Sequence, residues 1–256
     1  MGTGAITGYF DVAQVTLYAF WAFFAYLIIY LRREDKREGY PLIEDGLGNG
    51  RTEGWPPLPP AKTFRLPHGG VVYAPRPEDP QPPISAEPTH PWPGSPLEPI
   101  GNPLLSGAGP AASALRSNEP DRTYVHGEPR ILPMRVATDH YLDEESPDPR
   151  GLKAVGADGV VGGEVSDIWV DRSEMVVRYL EVTLPTGGSV LVPMPLIRVN
   201  ETTRKVVVRS VLGKDFAAAP KLANPDLVTL REEDQISAYF ASGQLYATPD
   251  RRDPFL

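Results

Sequence analysis

Twenty consecutive residues, Val12 to Leu31, carry no charge. As a helix that run is roughly 30 Å long, the thickness of a bilayer's hydrocarbon core. Its clearly polar members, Gln14 and Thr16, lie near one end, and Tyr9, Phe10, Tyr18, Trp21, Tyr26 and Tyr30 supply aromatic anchors. The segment lacks a basic leader and a small-x-small cleavage site, so it reads as a retained span rather than a cleaved signal. No Lys or Arg occurs in residues 1–11, whereas Arg32, Arg33, Lys36 and Arg37 follow the run at once. The positive-inside rule therefore predicts an N-terminus outside and the bulk of the chain in the cytoplasm. Tyr30, Arg32, Arg33 and Arg37 are the topology-setting and lipid-facing candidates.

Proline divides the remainder. Of 30 prolines in 256 residues, none falls in 1–40, 23 fall in 41–150 and seven in 151–256. Clusters such as Trp55-Pro56-Pro57-Leu58-Pro59-Pro60 exclude regular helices and central strands, because proline lacks the backbone donor. Yet Phe64, Leu66, Val71, Val72, Tyr73, Trp92, Leu97, Ile100, Leu104 and Leu105 recur there, more apolar residues than a pure linker carries. The expectation is an extended strap along a partner's surface, with short strands at Thr63–Leu66 and Gly70–Ala74.

From Arg130 the pattern turns to short strands: Ile131–Ala137, Ala154–Gly156, Gly163–Val170, Met175–Leu184, Ser189–Pro193, Leu196–Val199 and Lys205–Ser210. Asp158-Gly159 and Thr186-Gly187-Gly188 supply turns, and Gly162-Gly163 reads as turn-type. Thr229-Leu230-Arg231-Glu232 is a capping box that predicts a helix of about eleven residues stopping near Gly243. The fold class is thus a single N-terminal transmembrane helix plus a mainly β cytoplasmic domain with a short C-terminal helix. The boundaries are 1–11 for a periplasmic N-terminus, 12–31 for the span, 32–129 for the proline-rich connector, 130–248 for the β domain and 249–256 for a tail.

The chemistry-bearing residue types are few. The chain has no cysteine, which excludes disulfides, thiolate nucleophiles and Cys-ligated metals. A net charge of −8 argues against nucleic acid as a partner. The four histidines show no metal-ligand spacing; His126 and Glu128, two apart, make at most a weak surface pair. No nucleophile–base pair points to a hydrolase. On Met175–Leu184, Val176, Arg178, Leu180, Val182 and Leu184 share one parity, which predicts an inward face with Arg178 on it, read either as a structural Glu174–Arg178 ion pair at a barrel rim or as a polar, hydrated channel or interface. Asp167 and Asp171 flank Trp169, and Glu232, Glu233 and Asp234 form another acid cluster. Clustered carboxylates raise one another's pKa values, which suits them to pass protons near neutral pH.

Specific strings carry a resemblance further. Leu31-Arg32-Arg33-Glu34-Asp35-Lys36-Arg37-Glu38-Gly39-Tyr40-Pro41-Leu42, Lys62-Thr63-Phe64, Leu66-Pro67-His68-Gly69, Gly109-Pro110-Ala111, Pro133-Met134-Arg135-Val136-Ala137, Asp167-Ile168-Trp169-Val170-Asp171, Arg178-Tyr179-Leu180-Glu181-Val182, Thr229-Leu230-Arg231-Glu232-Glu233-Asp234 and Leu245-Tyr246-Ala247 resemble, in order, the H subunit of the purple-bacterial photosynthetic reaction centre. The resemblance implies a PRC-barrel β domain that caps the L and M subunits in the photosynthetic inner membrane. The core light-harvesting antenna and a cytochrome subunit are further candidate neighbours. It implies that this chain binds no cofactor directly: bacteriochlorophyll, bacteriopheophytin, quinones and non-haem iron belong to partner subunits. It also implies a role in assembly and in carrying protons to the secondary quinone. Glu174 fits the family's buried glutamate nearest the quinone pocket, with Asp171 before it, Arg178 adjacent and Glu233 a second acid. His126 matches one of two surface histidines at the proton uptake point. Glu128 stands where the second would be, and Tyr124 where an aspartate is expected, so the family's surface metal site is not carried over. The residues alone leave open a membrane-tethered PRC-barrel adaptor without a redox role.

Overall fold

The computed structural model describes residues 4, 6–9, 11–43, 51–75 and 82–252. Phe10, much of the Pro75–Pro83 cluster and the end of the expected tail lie outside the described residues. The chain groups into two compact units, residues 1–79 with 92–94, and residues 80–91 with 95–256.

The first unit contains helix α1, Val12–Asp35. Asp11 caps it, its side chain accepting the Gln14 N–H at 2.7 Å. Arg32 and Arg33 stand in the last turn, where the helix dipole favours cations. None of its residues is buried within the chain, and its mean hydropathy over an 18-residue window is 1.8. Length and composition suffice to cross a membrane. Two short ladders follow, β1 (Leu42–Ile43) with β2 (Arg51–Thr52), and β3 (Lys62–Arg65) with β4 (Val71–Ala74). The β3–β4 hairpin matches its expected place, with Gly69 and Gly70 at positive φ in the turn.

The proline-rich stretch is tied to the helix end by cations. Lys36 is 1% exposed, and its Nζ donates to the carbonyls of Glu53, Gly54 and Pro56 while lying over the Tyr40 ring. Arg37 grips Glu34 with two hydrogen bonds and donates to the carbonyls of Pro60 and Ala74.

In the second unit, β5 (Ala86–Pro88) pairs with β6 (Leu97–Pro99). A seven-stranded sheet then forms from β7 (Ile131–Pro133), β8 (Lys153–Val155), β9 (Val161–Asp171), β10 (Val176–Thr183), β11 (Ser189–Pro193), β12 (Ile197–Asn200) and β13 (Lys205–Val208). The order is β11-β10-β9-β8-β13-β12, with β7 on β9. Only β13–β8 is parallel. Eleven-residue β9 is long enough to carry both β8 and β7 along its length. The expected strand Ile131–Ala137 stops at Pro133, after which the Val136 and Ala137 N–H groups turn back to the Pro133 carbonyl. Trp169, Ile168, Leu180, Val182, Val192, Val206, Phe216, Ile236, Tyr239 and Phe240 centre the core.

Helix α2, Leu230–Tyr246, opens with the expected capping box, Thr229 and Glu232 bonding reciprocally. It runs 17 residues, not eleven, and Gly243 does not end it. A Cβ at Gly243 would stand 2.1 Å from the Ser210 carbonyl oxygen, so this glycine permits close packing of helix on sheet. Gly162 and Gly163 are likewise not a turn. They lie inside β9, where a Cβ would meet the Phe216 ring and the Thr183 carbonyl at 2.4 Å.

Part of the connector packs on α2 of its own chain. Leu104, Ala108 and Ala111 are buried, the carbonyls of Glu119 and Ser117 accept the Leu230 and Arg231 N–H groups, and Asp234 accepts the Ala114 N–H. These bonds supply partners that the first helical turn lacks on its own.

Gly243→Ala forces the helix off Ser210, and overpacking of this kind costs about 1–3 kcal/mol. A lowered thermal midpoint for the full chain, followed by circular dichroism, is the expected result; an unchanged midpoint would show that the contact is soft.

Candidate functional site

Two of the candidate proton-carrying residues, Asp171 and Glu174, meet on Arg130, the residue at which the β domain begins. Asp171 ends β9, and its Oδ1 accepts the N–H groups of Ser173 and Glu174 at 2.9 and 3.1 Å, which shapes the turn into β10. Arg130, entering β7, forms a two-pronged pair with the fully buried Asp171, Nε to Oδ1 and a terminal nitrogen to Oδ2, both at 2.9 Å. The same guanidinium bonds Glu174 Oε1 and Asp121 Oδ2. One cation thus gathers three carboxylates from three segments.

Burial works to raise the Asp171 carboxyl. The hydrogen bonds from Arg130 and from the Glu174 and Ser173 amides outweigh it, holding Asp171 below the usual carboxylate range. Asp171 is therefore a fixed negative charge that anchors Arg130.

The loop from Asp121 to Arg130 folds back on itself through Thr123 N–H to the Glu128 carbonyl, and Arg130 N–H to the Asp121 carbonyl. His126, Tyr124 and Val125 are exposed on this loop. Glu128 does not pair with His126; it accepts from Arg172 at 2.8 Å, which staples the loop to the β9–β10 turn. No group of three or more His, Asp and Glu gathers as a metal site among the described residues.

The expected Glu174–Arg178 ion pair is not formed. Glu174 turns to Arg130, its side chain 56% exposed on this chain. Arg178 is exposed too, where buried parity was expected. The cause is a bulge: Val177 pairs with Val170 and Tyr179 with Trp169, so Arg178 is the extra residue. Beyond it Leu180, Val182 and Leu184 are buried as expected, and Tyr179 is buried beside them.

Tyr179 thereby reaches Glu233, in the first turns of α2, donating its hydroxyl at 2.9 Å. Burial raises Glu233, and Asp121 adds to this; the Tyr179 hydrogen bond and the Arg178 and Arg116 charges oppose it, leaving the net value above the ordinary glutamate range. Burial beside Glu233 pushes the Tyr179 phenol up as well. Asp121 touches Arg130 and acts on Glu233, so Glu174, Asp171, Asp121 and Glu233 belong to one electrostatic neighbourhood. Arg130 and Tyr179 are the members supplied by tertiary contact, while Asp121, an expected proton collector beside Glu128, is joined to them through Arg130.

At the helix end, Arg32 donates to the Tyr40 hydroxyl at 2.8 Å, and Tyr30 stacks on Tyr26. Arg33 makes no hydrogen bond or ion pair with protein among the described residues. Arg37, counted with Arg32 and Arg33 for lipid contact or topology, has its guanidinium occupied by Glu34 and two carbonyls, and its side chain is 11% exposed.

An apolar N-terminal helix joined to a seven-stranded β domain with an acid–arginine cluster defines a membrane-associated PRC-barrel protein, and a PRC-barrel domain model matches residues 143–214. The family model for the photosynthetic reaction centre H-chain N-terminal region matches residues 4–136. The chain belongs to the photosynthetic reaction centre H-chain family and is a subunit of that complex.

A carboxyl raised by burial lowers stability where it must ionise, and contributes nothing below its unfolded value of about 4.3. Glu233→Gln keeps an acceptor for Tyr179 and removes that cost. The variant is expected to melt higher than wild type at pH near 8 and at the same temperature at pH near 4. A gain independent of pH would refute the assignment.

Proposed function

We propose that this subunit caps the L and M subunits on the cytoplasmic side of the photosynthetic inner membrane, with its N-terminus periplasmic, supports their assembly, and passes protons to the secondary quinone. The observation that carries the proton reading is the acid neighbourhood around Arg130, in which one carboxyl, Glu233, is raised by burial while another, Asp171, is held ionised. Reducing a quinone to quinol takes up two protons, and an added electron in a dry pocket remains costly until a proton neutralises it. A raised carboxyl can hold a proton and release it near ambient pH. Glu174, exposed on this chain, and the half-buried Glu233 then carry protons, Asp171 and Arg130 hold the geometry, and His126, Glu128 and Asp121 collect protons from water. Asp171 therefore changes role, from expected carrier to anchor.

Capping is supported by apolar side chains left exposed on this chain: the whole length of α1, and Phe64, Leu66, Val71 and Tyr73 on the β3–β4 hairpin. Bacteriochlorophyll, bacteriopheophytin, quinones and non-haem iron are assigned to the partner subunits. The core antenna and a cytochrome subunit are candidate neighbours at the membrane.

The test uses the complex purified from photosynthetic membranes in mild detergent, where near-infrared pigment bands should accompany the chain; colourless protein would favour a tethered adaptor instead. In that complex Glu174→Gln should leave the first charge separation unchanged and slow the second, proton-coupled electron transfer at least about tenfold. Flash kinetics with both steps at wild-type rates would overturn the relay.

A further inference from the structure

A second site lies elsewhere on the β domain and uses none of these residues. Leu196, Arg198 and Asn200 on or beside β12, and Lys205, Val207 and Arg209 on or beside β13, share one face. The register sets Arg198 opposite Val207 and Asn200 opposite Lys205. The other face carries Ile197, Val199, Val206 and Val208 toward the core. On the outward face is a cleft of about 420 Å³, lined by Arg198, Arg209, Arg251, Ser210, Gln244 and an apolar edge at Pro195–Ile197. No carboxylate lines it, in a chain of net charge −8. The nearest acids along its elements are Glu201, in the β12–β13 turn, and Asp250, after α2.

Three features mark this cleft as built for an anion. Arg198 and Arg209 are exposed, and neither guanidinium has a hydrogen-bond or ion-pair partner among the described residues, unlike Arg130, Arg135 and Arg150. Ser210 is 3% exposed, yet its hydroxyl has no partner, an uncommon state for a buried polar group. Arg251 is held rigidly: it donates to the carbonyls of Ser210, Gly243 and Arg209, fixing a positive charge at the site while leaving further N–H groups unused.

We infer that this cleft binds a phosphate-bearing anion. Two unpaired guanidiniums, a fixed third, a hydroxyl and an amide offer more donors than the two oxygens of a carboxylate accept, and forked guanidinium donors suit phosphate oxygens. The volume exceeds inorganic phosphate, and the Pro195–Ile197 edge gives an ester's organic group an apolar wall. A soluble phosphomonoester and an anionic phospholipid headgroup both present this chemistry.

The test uses the detergent-purified complex. Glycerol phosphate is titrated by calorimetry, and tightly held lipid phosphorus is assayed in the same preparation. Arg198 and Arg209 are exposed, so Arg198→Gln/Arg209→Gln should fold as wild type. The double variant is expected to bind glycerol phosphate about 100-fold more weakly, and Ser210→Ala, with every charge kept, about tenfold more weakly. Lys214→Gln, outside the cleft, should bind as wild type. If lipid fills the cleft, titration is silent in wild type and the double variant carries about one phospholipid fewer per complex. Equal binding and equal lipid phosphorus in wild type and double variant would overturn the site.

Discussion

A proline-rich chain is short of backbone donors. Each proline keeps its carbonyl and loses its N–H, so packing such a chain leaves acceptors that no ladder can satisfy. In this subunit cationic side chains make up the deficit. Lys36 serves the carbonyls of Glu53, Gly54 and Pro56, and Arg37 those of Pro60 and Ala74. Arg135 serves Pro225, and Arg251 serves Ser210, Gly243 and Arg209. Among the basic residues after the apolar run, Lys36 and Arg37 are the donors around which residues 53–74 fold.

The same device, with carboxylates as acceptors, organises the interior of the β domain. Arg135 bonds Asp167 and Glu181 and lies over Trp169, whose indole N–H donates to Glu181. Arg130 does the equivalent for Asp171, Glu174 and Asp121. Both arginines flank β7, and both take buried acids from β9. Removing either would strand a carboxylate in the core, where an unpaired charge costs several kcal/mol. Asp171 is thus a carboxylate that Arg130 holds ionised, whereas Glu233 is raised by burial, with a neutral phenol as its hydrogen-bond partner.

Much was legible beforehand because it is local. The span, the β3–β4 hairpin, the strands from Lys153 to Val208 and the α2 capping box depend on hydropathy, alternation and turn chemistry within a few residues. The errors share another origin. Gly243, Gly162 and Gly163 read as breakers, since sequence cannot tell a glycine needed for backbone rotation from one needed because a Cβ would collide with a neighbouring carbonyl or ring. Arg178 read as inward because parity counting assumes no bulge. The connector's docking on α2 joins residues more than a hundred positions apart, as in Ala114 N–H to Asp234.

By itself the sequence determined that one end is apolar enough to cross a membrane, that a β domain follows, and which acids are present. Local composition and period decide those matters. Only the tertiary structure decided which acids are free. It gave Asp171 to Arg130 and Glu128 to Arg172, left Glu233 with Tyr179, and left Arg198 and Arg209 with no hydrogen-bond or ion-pair partner among the described residues. A carboxyl's proton affinity follows from its burial and the charge beside it, and neither exists until distant strands are brought together.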